Sequence, residues 1–345
     1  MRTLLKDSFK IAAAFIGTVV GAGFATGKEI VQFFTIYGMA GIIGVFITGM
    51  FFIWIGTKIM LISNEIKAES HHQLNEYLFG KKIGALVNGI FVVILFGVTS
   101  IMIAGTGAIF SEQMEFPSFI GITVAILLCY FVLTRGINGV FLLNIIVVPV
   151  MICFSVSIGL LLLPKAVDFL TVPVMYELTE PGWFLSAFAY IGFNLTMAQT
   201  VLVPIGMEIE DKRTIKVGGA IGGAGLLLIL ITGFIALSSM PNLESVEIPM
   251  GEVIKTFGSL IHLLYISVIL GEILTTVIGN AFGLTKQIQH LTGFSEKNII
   301  IVILIVCLLI SRIGFGTLLS ILYPIFGGIG VLTVLMIAFQ PKKTR

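Results

Sequence analysis

"VGAGFATGKEIVQFF", residues 20–34, lies inside an apolar run that begins near residue 9, yet it carries three glycines followed by a lysine and a glutamate. A helix crossing lipid must satisfy its own backbone, and glycine costs about 1 kcal/mol relative to alanine in a helix interior. Length points the same way: an unbroken helix over 9–36 is about 42 Å long at about 1.5 Å per residue, against a hydrocarbon core of about 30 Å. The run is therefore expected to unwind over Gly21, Ala22, Gly23, Phe24, Ala25 and Thr26. Unwound backbone at membrane depth is tolerated where it is buried in protein or lines a cavity, so its polar groups are expected to meet a ligand. Free N–H groups at the positive start of a half-helix near Gly23–Thr26 suit a carboxylate. Free carbonyls ending the preceding half-helix suit a cation or ammonium. A small zwitterion satisfies both.

The rest of the chain supplies the membrane. Of 345 residues 57% are hydrophobic and 11% charged, with mean hydropathy +1.10, a composition for an integral membrane protein. Ten apolar runs are long enough to span or nearly span a bilayer, at roughly 9–36, 39–62, 83–110, 117–134, 139–163, 183–207, 216–239, 259–285, 298–312 and 314–339. If both termini are cytoplasmic, all 20 Lys and Arg except Lys28, Lys165, Lys255 and Arg312 fall in inside segments. That asymmetry favours an even number of spans and cytoplasmic termini, and a multi-pass protein of the plasma (inner) membrane is expected. The N-terminal run continues past its glycines into further apolar sequence and is expected to stay rather than be cleaved. Cys129, Cys153 and Cys307 each fall in a span and suggest neither a disulfide framework nor a metal cluster. Residues 64–82 and 240–258 read as short amphipathic helices on opposite faces, the second interrupted by Pro249.

Cutting the spans in the middle gives a first unit, 1–163, and a second, 183–339, joined by an outer connection at 164–182 and followed by a tail at 340–345. Five is odd, so two five-helix units in series sit in opposite orientation, the inverted repeat of many secondary transporters. The first span of the second unit, "AYIGFNLTMAQTVLVPIGMEI" (189–209), is expected to break in turn at Gly192–Met197. Tyr190, Gly192, Phe193, Asn194 and Thr196 are then the second half of a substrate site shared with the first break.

The stretch "GTVVGAGFATGKEIVQFF" resembles the opening of the YkvI-type amino-acid permease family, within the amino acid-polyamine-organocation superfamily. The resemblance implies an all-α, ten-span, LeuT-like five-plus-five fold with broken helices 1 and 6. It also implies alternating access between a bundle of spans 1, 2, 6 and 7 and a scaffold, with small-molecule substrate between the breaks. Laid on the pattern of sodium-coupled relatives, Gly17 and Val20 supply carbonyls to a cation site completed by Thr275 and Thr276 of the eighth span. Two departures stand out: Phe24 replaces an asparagine of the relatives' second ion site, and the tenth span lacks the acid that completes their outer gate. Lys28 is then free to do another job or simply to snorkel outward.

Glu272 lies one turn before Thr275 and Thr276, so the three can share a face. An acid at that depth is by default functional, as a ligand of the coupled ion or a carrier of protons. The expected function is secondary active transport of a small amino acid or related zwitterion, coupled to sodium or protons. A receptor that binds without transport and a channel are the alternatives. No HExxH, GxSxG or phosphate loop marks an enzyme. No cofactor beyond a sodium ion and no nucleic-acid partner is expected, and the oligomeric state stays open.

Overall fold

The structure is a computed structural model. It describes the backbone of residues 2–135, 138–169, 181–240 and 242–340, and the side chains of these except 2–3, 135, 138–148, 166–169, 286 and 290–292. Most of the connection at 164–182 and nearly all of the tail therefore lie outside the described residues. The described backbone is helical throughout, with short turns and no strand. The first apolar run forms α1 (Arg2–Val19), α2 (Ala22–Thr26) and α3 (Lys28–Phe33). The second forms α4 (Gly38–Phe51) and α5 (Thr57–Ile66), joined by one π turn at Phe52–Gly56. The third run is α6 (His71–Ala108), the fourth α7 (Ser118–Arg135) and the fifth α8 (Asn138–Phe169). The second unit contains α9 (Gly182–Glu208), α10 (Lys212–Ser238), the short α11 (Pro249–Lys255), α12 (Ser259–Thr292), α13 (Glu296–Ser311) and α14 (Phe315–Phe339). Each of the ten apolar runs is thus helical in its described part. Among the described residues, six helical stretches are long and apolar enough to cross a membrane by length and composition. The chain is an all-helical polytopic membrane protein.

Packing follows the small residues. The stripe Gly218, Gly219, Gly222 and Gly223 of α10 offers bare backbone on two faces at once. Gly218 and Gly222 lie against Ile11, Ala12 and Phe15 of α1, while Gly219 and Gly223 lie against Thr57, Met60 and Ile53 of the second span. Close approach of this kind drives helix association where lipid removes the hydrophobic incentive. It gathers spans 1, 2, 6 and 7 into one bundle, with α9 also packed along α14 and α10 along α8.

Three expectations are corrected. The second break is absent: α9 runs as one helix through Gly192, Phe193, Asn194, Leu195, Thr196 and Met197. A Cβ on Gly192 would meet the Gly327 carbonyl, Val331 N at 2.6 Å and Gly330 C at 2.9 Å, so the glycine serves contact between α9 and α14 and leaves the ladder intact. Pro249 starts α11 at its first position, where its missing N–H is no loss, instead of interrupting a helix. The third concerns Lys28, which is 8% exposed and does not snorkel. Its ammonium donates to the carbonyls of Glu244 at 2.7 Å and Val246 at 2.6 Å. The amphipathic segment at 71–79 is present, set off from the rest of α6 by Gly80, which sits at φ 77° and ψ 163°.

Candidate functional site

The first break is real and can be followed bond by bond. The Val20 N–H reaches the Ile16 carbonyl at 2.8 Å and the Ala25 N–H reaches the Gly21 carbonyl at 2.9 Å; among the described backbone bonds, no rung joins these two. The carbonyls of Gly17 to Val20 and the N–H groups of Gly21 to Phe24 are thereby released from the ladder, as the glycine content of this stretch suggests. The half-helix that follows is shorter than expected. It ends after five residues at Gly27, which turns left-handed at φ 82° before α3 resumes. Individual peptide groups, more than a summed helix dipole, therefore face the interior.

They face a small, partly open cavity of about 90 Å³. Thr18, Val19, Gly21 and Ala22 line it from the break, Glu29 from α3, and Phe193, Asn194, Met197 and Thr200 from α9. Val98 and Met102 of α6, Thr276 and Asn280 of α12 and Tyr323 of α14 close it. Five spans, from both halves of the chain, converge here. Larger hollows exist, of about 550 Å³ around Arg312 and Glu247 and about 860 Å³ along Phe184 and Pro324, but neither touches residues 20–24.

Of the residues singled out from sequence, Gly21, Ala22, Phe193, Asn194 and Thr276 line the cavity. The others stand behind it. Gly23 backs onto the side chain of Glu29, and a Cβ there would overlap that carboxyl. Phe24 is buried, the Ala25 carbonyl accepts a 2.7 Å bond from the Tyr265 hydroxyl, and the Thr26 hydroxyl donates to the Gly23 carbonyl at 3.0 Å. Tyr190 packs against Phe33, Phe34 and Phe52. Thr196 is buried with its hydroxyl unpaired. Val20 is fully buried and Gly17 lies in the last turn of α1. On α12 the Thr275 and Thr276 hydroxyls donate to the Glu272 carbonyl at 3.0 and 2.9 Å. Back-bonding of this kind orients the hydroxyl hydrogen and leaves the oxygen lone pairs free. Gly21 approaches Thr276, where a Cβ would lie 3.9 Å from Oγ1. Glu272 is 1% exposed, and its Oε2 has no partner.

Glu29 and Tyr323 are functional candidates that sequence reasoning missed. Glu29 is 3% exposed. The Tyr323 hydroxyl faces the Glu29 carboxyl. The Tyr190 hydroxyl faces the same group too loosely to complete a bond, so it and Glu29 Oε2 remain unpaired. The Tyr323 ring stacks on Phe193 with centroids 4.1 Å apart, which fixes its direction. The signal for Glu29 was present: an acid within a predicted span, to which the rule applied to Glu272 applies equally. Tyr323 carried none, because nothing in its run distinguishes it from packing aromatics.

Comparison with known proteins follows from this geometry. No family model matches the chain. It is 40% identical over 321 residues to the uncharacterized membrane protein YkvI of Bacillus subtilis (strain 168), covering 92% of this chain and 91% of that one. It is 21% identical over 346 residues to the uncharacterized protein YyaD of the same organism, covering 99% of each. Among solved structures it resembles MhsT in complex with L-phenylalanine, with TM-score 0.70, 15% identity and coverage of 94% of this chain and 87% of that one. It also resembles Mhp1 in an inward-facing conformation, with TM-score 0.58, 14% identity and coverage of 94% and 75%. These two likenesses carry the fold, the LeuT-like arrangement that the opening stretch implied.

Proposed function

The chain belongs to the YkvI family of membrane proteins, and we propose that it is a secondary active transporter. It moves a small amino acid or related zwitterion across the plasma membrane by alternating access, coupled to sodium or protons. The observation that carries this reading is the gap in the α1–α2 ladder, whose freed peptide groups open onto a small cavity shared by both halves of the fold. Broken backbone at such a place is the device by which discontinuous helices hold solutes and ions near the midplane. That MhsT, of the same fold, was solved with L-phenylalanine supports an amino acid as the class of ligand.

The residues present fit a sodium ion, a hard cation that takes oxygen ligands. The unpaired carbonyls of Gly17 and Val20, the Thr275 and Thr276 hydroxyls with free lone pairs and the Glu272 carboxyl supply such oxygens. A bound sodium would contribute positive charge beside the break and let its gradient drive the solute. Glu272 would balance that charge or, without sodium, carry a proton.

Purified protein in vesicles tests the reading. Saturable accumulation of a radiolabelled small amino acid, driven by an inward sodium or proton gradient and abolished when that gradient is collapsed, is expected. Binding of the same amino acid without flux would make the protein a receptor, and unsaturable conductance would make it a channel.

A further inference from the structure

The cavity has a charge of its own that the freed backbone does not explain. Glu29 lines it with one carboxyl oxygen unpaired, while no Lys, Arg or His is among its lining residues. Lys28, next in sequence, turns away and spends its ammonium on the Glu244 and Val246 carbonyls. The ion pairs Lys10–Asp7, Lys212–Glu65 and Lys255–Glu252 lie on the surface, away from the cavity. On the α12 wall, the Asn280 amide presents an Nδ2 donor that is buried and unpaired. Buried polar groups are almost always satisfied in folded proteins, and one that is not calls for a partner absent from the chain. Here an orphaned acceptor and an orphaned donor border the same small space.

We propose that Glu29 is the ammonium receptor of this site and Asn280 a donor to the opposite, carboxylate end of the ligand, so that the pair selects a small zwitterion bearing a primary amine. The inference rests on the transporter reading and narrows it. The acid supplies the charge-assisted acceptor that an ammonium requires on leaving water, and Tyr323, on the wall of the same cavity, faces it. The amide gives direction without charge, so a solute carrying only a carboxylate finds no basic side chain in the cavity wall to balance it and meets the acid's repulsion. Size narrows the class further. About 90 Å³ equals the volume of about three waters at about 30 Å³ each in the liquid. Glycine and alanine, with about five and six non-hydrogen atoms, come closest to that space; an aromatic amino acid exceeds it. Gly23 belongs to the same device, because its missing side chain is what lets the Glu29 carboxyl fold back over the break.

The test is binding to the purified full chain by thermal shift and calorimetry, with glycine, L-alanine, ethylamine, propionate and L-phenylalanine as probes, each with and without sodium. Glycine or L-alanine is expected to bind the wild type at least tenfold more tightly than propionate or L-phenylalanine. Glu29→Gln is expected to lose at least tenfold of that affinity, and with it the preference over propionate, while its ligand-free melting temperature stays level or rises. Glu29→Asp, which keeps the charge on a shorter arm, should bind more weakly yet retain the preference, and serves where the glutamine variant fails to fold. Asn280→Ala should weaken the two amino acids and leave ethylamine unchanged. Wild-type affinity in Glu29→Gln, or propionate binding as well as alanine, overturns the assignment while leaving the transporter reading standing. Undiminished binding in Glu29→Gln together with loss of pH-driven accumulation would make Glu29 a proton carrier and likewise overturn it. If no probe binds the wild type, the transporter reading falls first and the assignment with it.

Discussion

Gly23 and Glu29 lie on either side of the Gly27 turn, and each accounts for the other. A Cβ on Gly23 would stand 2.6 Å from the Glu29 Cδ and 2.8 Å from its Cγ. Those atoms belong to the far end of a flexible side chain, so the clash is relieved by swinging the carboxyl aside, without moving backbone. Gly23→Ala is therefore expected to cost less than about 1 kcal/mol of stability, below the roughly 1–3 kcal/mol of overpacking a rigid core. It should nonetheless abolish binding of small amino acids by displacing the group that receives them. Parallel melting and calorimetry on this variant check the prediction; a large loss of stability with binding retained would show that Gly23 is needed only for packing. Depth alone made Glu272 legible in the sequence, and the same rule reaches Glu29, to which it was not applied. Which of them borders the cavity was not legible, because that depends on the left-handed Gly27, which turns α3 back toward α2.

At the scale of elements, the same residue type plays opposite parts in the two helices that the sequence made look alike. Gly21 sits where the ladder is open, whereas Gly192 sits in an intact helix pressed on α14. A glycine that frees backbone and one that admits a neighbouring helix read identically along a single chain, so apolar runs and their number were legible while the second break was misread. Gly192→Ala tests the packing role. Its Cβ would meet only backbone of Gly327, Gly330 and Val331, none of which can rotate away, so a loss toward the upper end of about 1–3 kcal/mol is expected. Gly279→Ala on α12 is the matched control, since nothing lies within 4 Å of the Cβ it would add. Detergent melting curves should show the first variant clearly lowered and the second near wild type. Equal effects would mean that α9 and α14 are less tightly apposed than their backbones indicate.

At the scale of the molecule, the proposed alternating access requires that each end open in turn, and Lys28 ties down the end that the sequence assigns to the outside. The ammonium that reaches the Glu244 and Val246 carbonyls ties α3 to the loop between α10 and α11. The Glu112 carboxylate fastens the same loop by accepting from the N–H groups of Glu247 and Ile248, at 3.0 to 3.1 Å. Charge-assisted hydrogen bonds are worth about 1.5–3 kcal/mol each, so Lys28→Met should raise the open population about tenfold or more. Val31, 2% exposed and lining the hollow beneath the loop, reports it: with the exposed Cys153 replaced by serine, a cysteine at position 31 should be alkylated correspondingly faster. Glu247 adds a pH dependence. Burial pushes its carboxyl above the ordinary 4.5, helped by the nearby Glu112 carboxylate and opposed by the Gly316 N–H and the Lys28 ammonium. A raised value in the closed form means that closure is favoured fully below the ordinary carboxylate range and is lost progressively as pH rises through the raised value. The labelling rate of the position-31 cysteine, divided by the rate in a Glu247→Gln background to cancel the thiol's own titration, should therefore climb with pH above about 4.5. A flat ratio would place the control of this end in the Lys28 and Glu112 bonds alone.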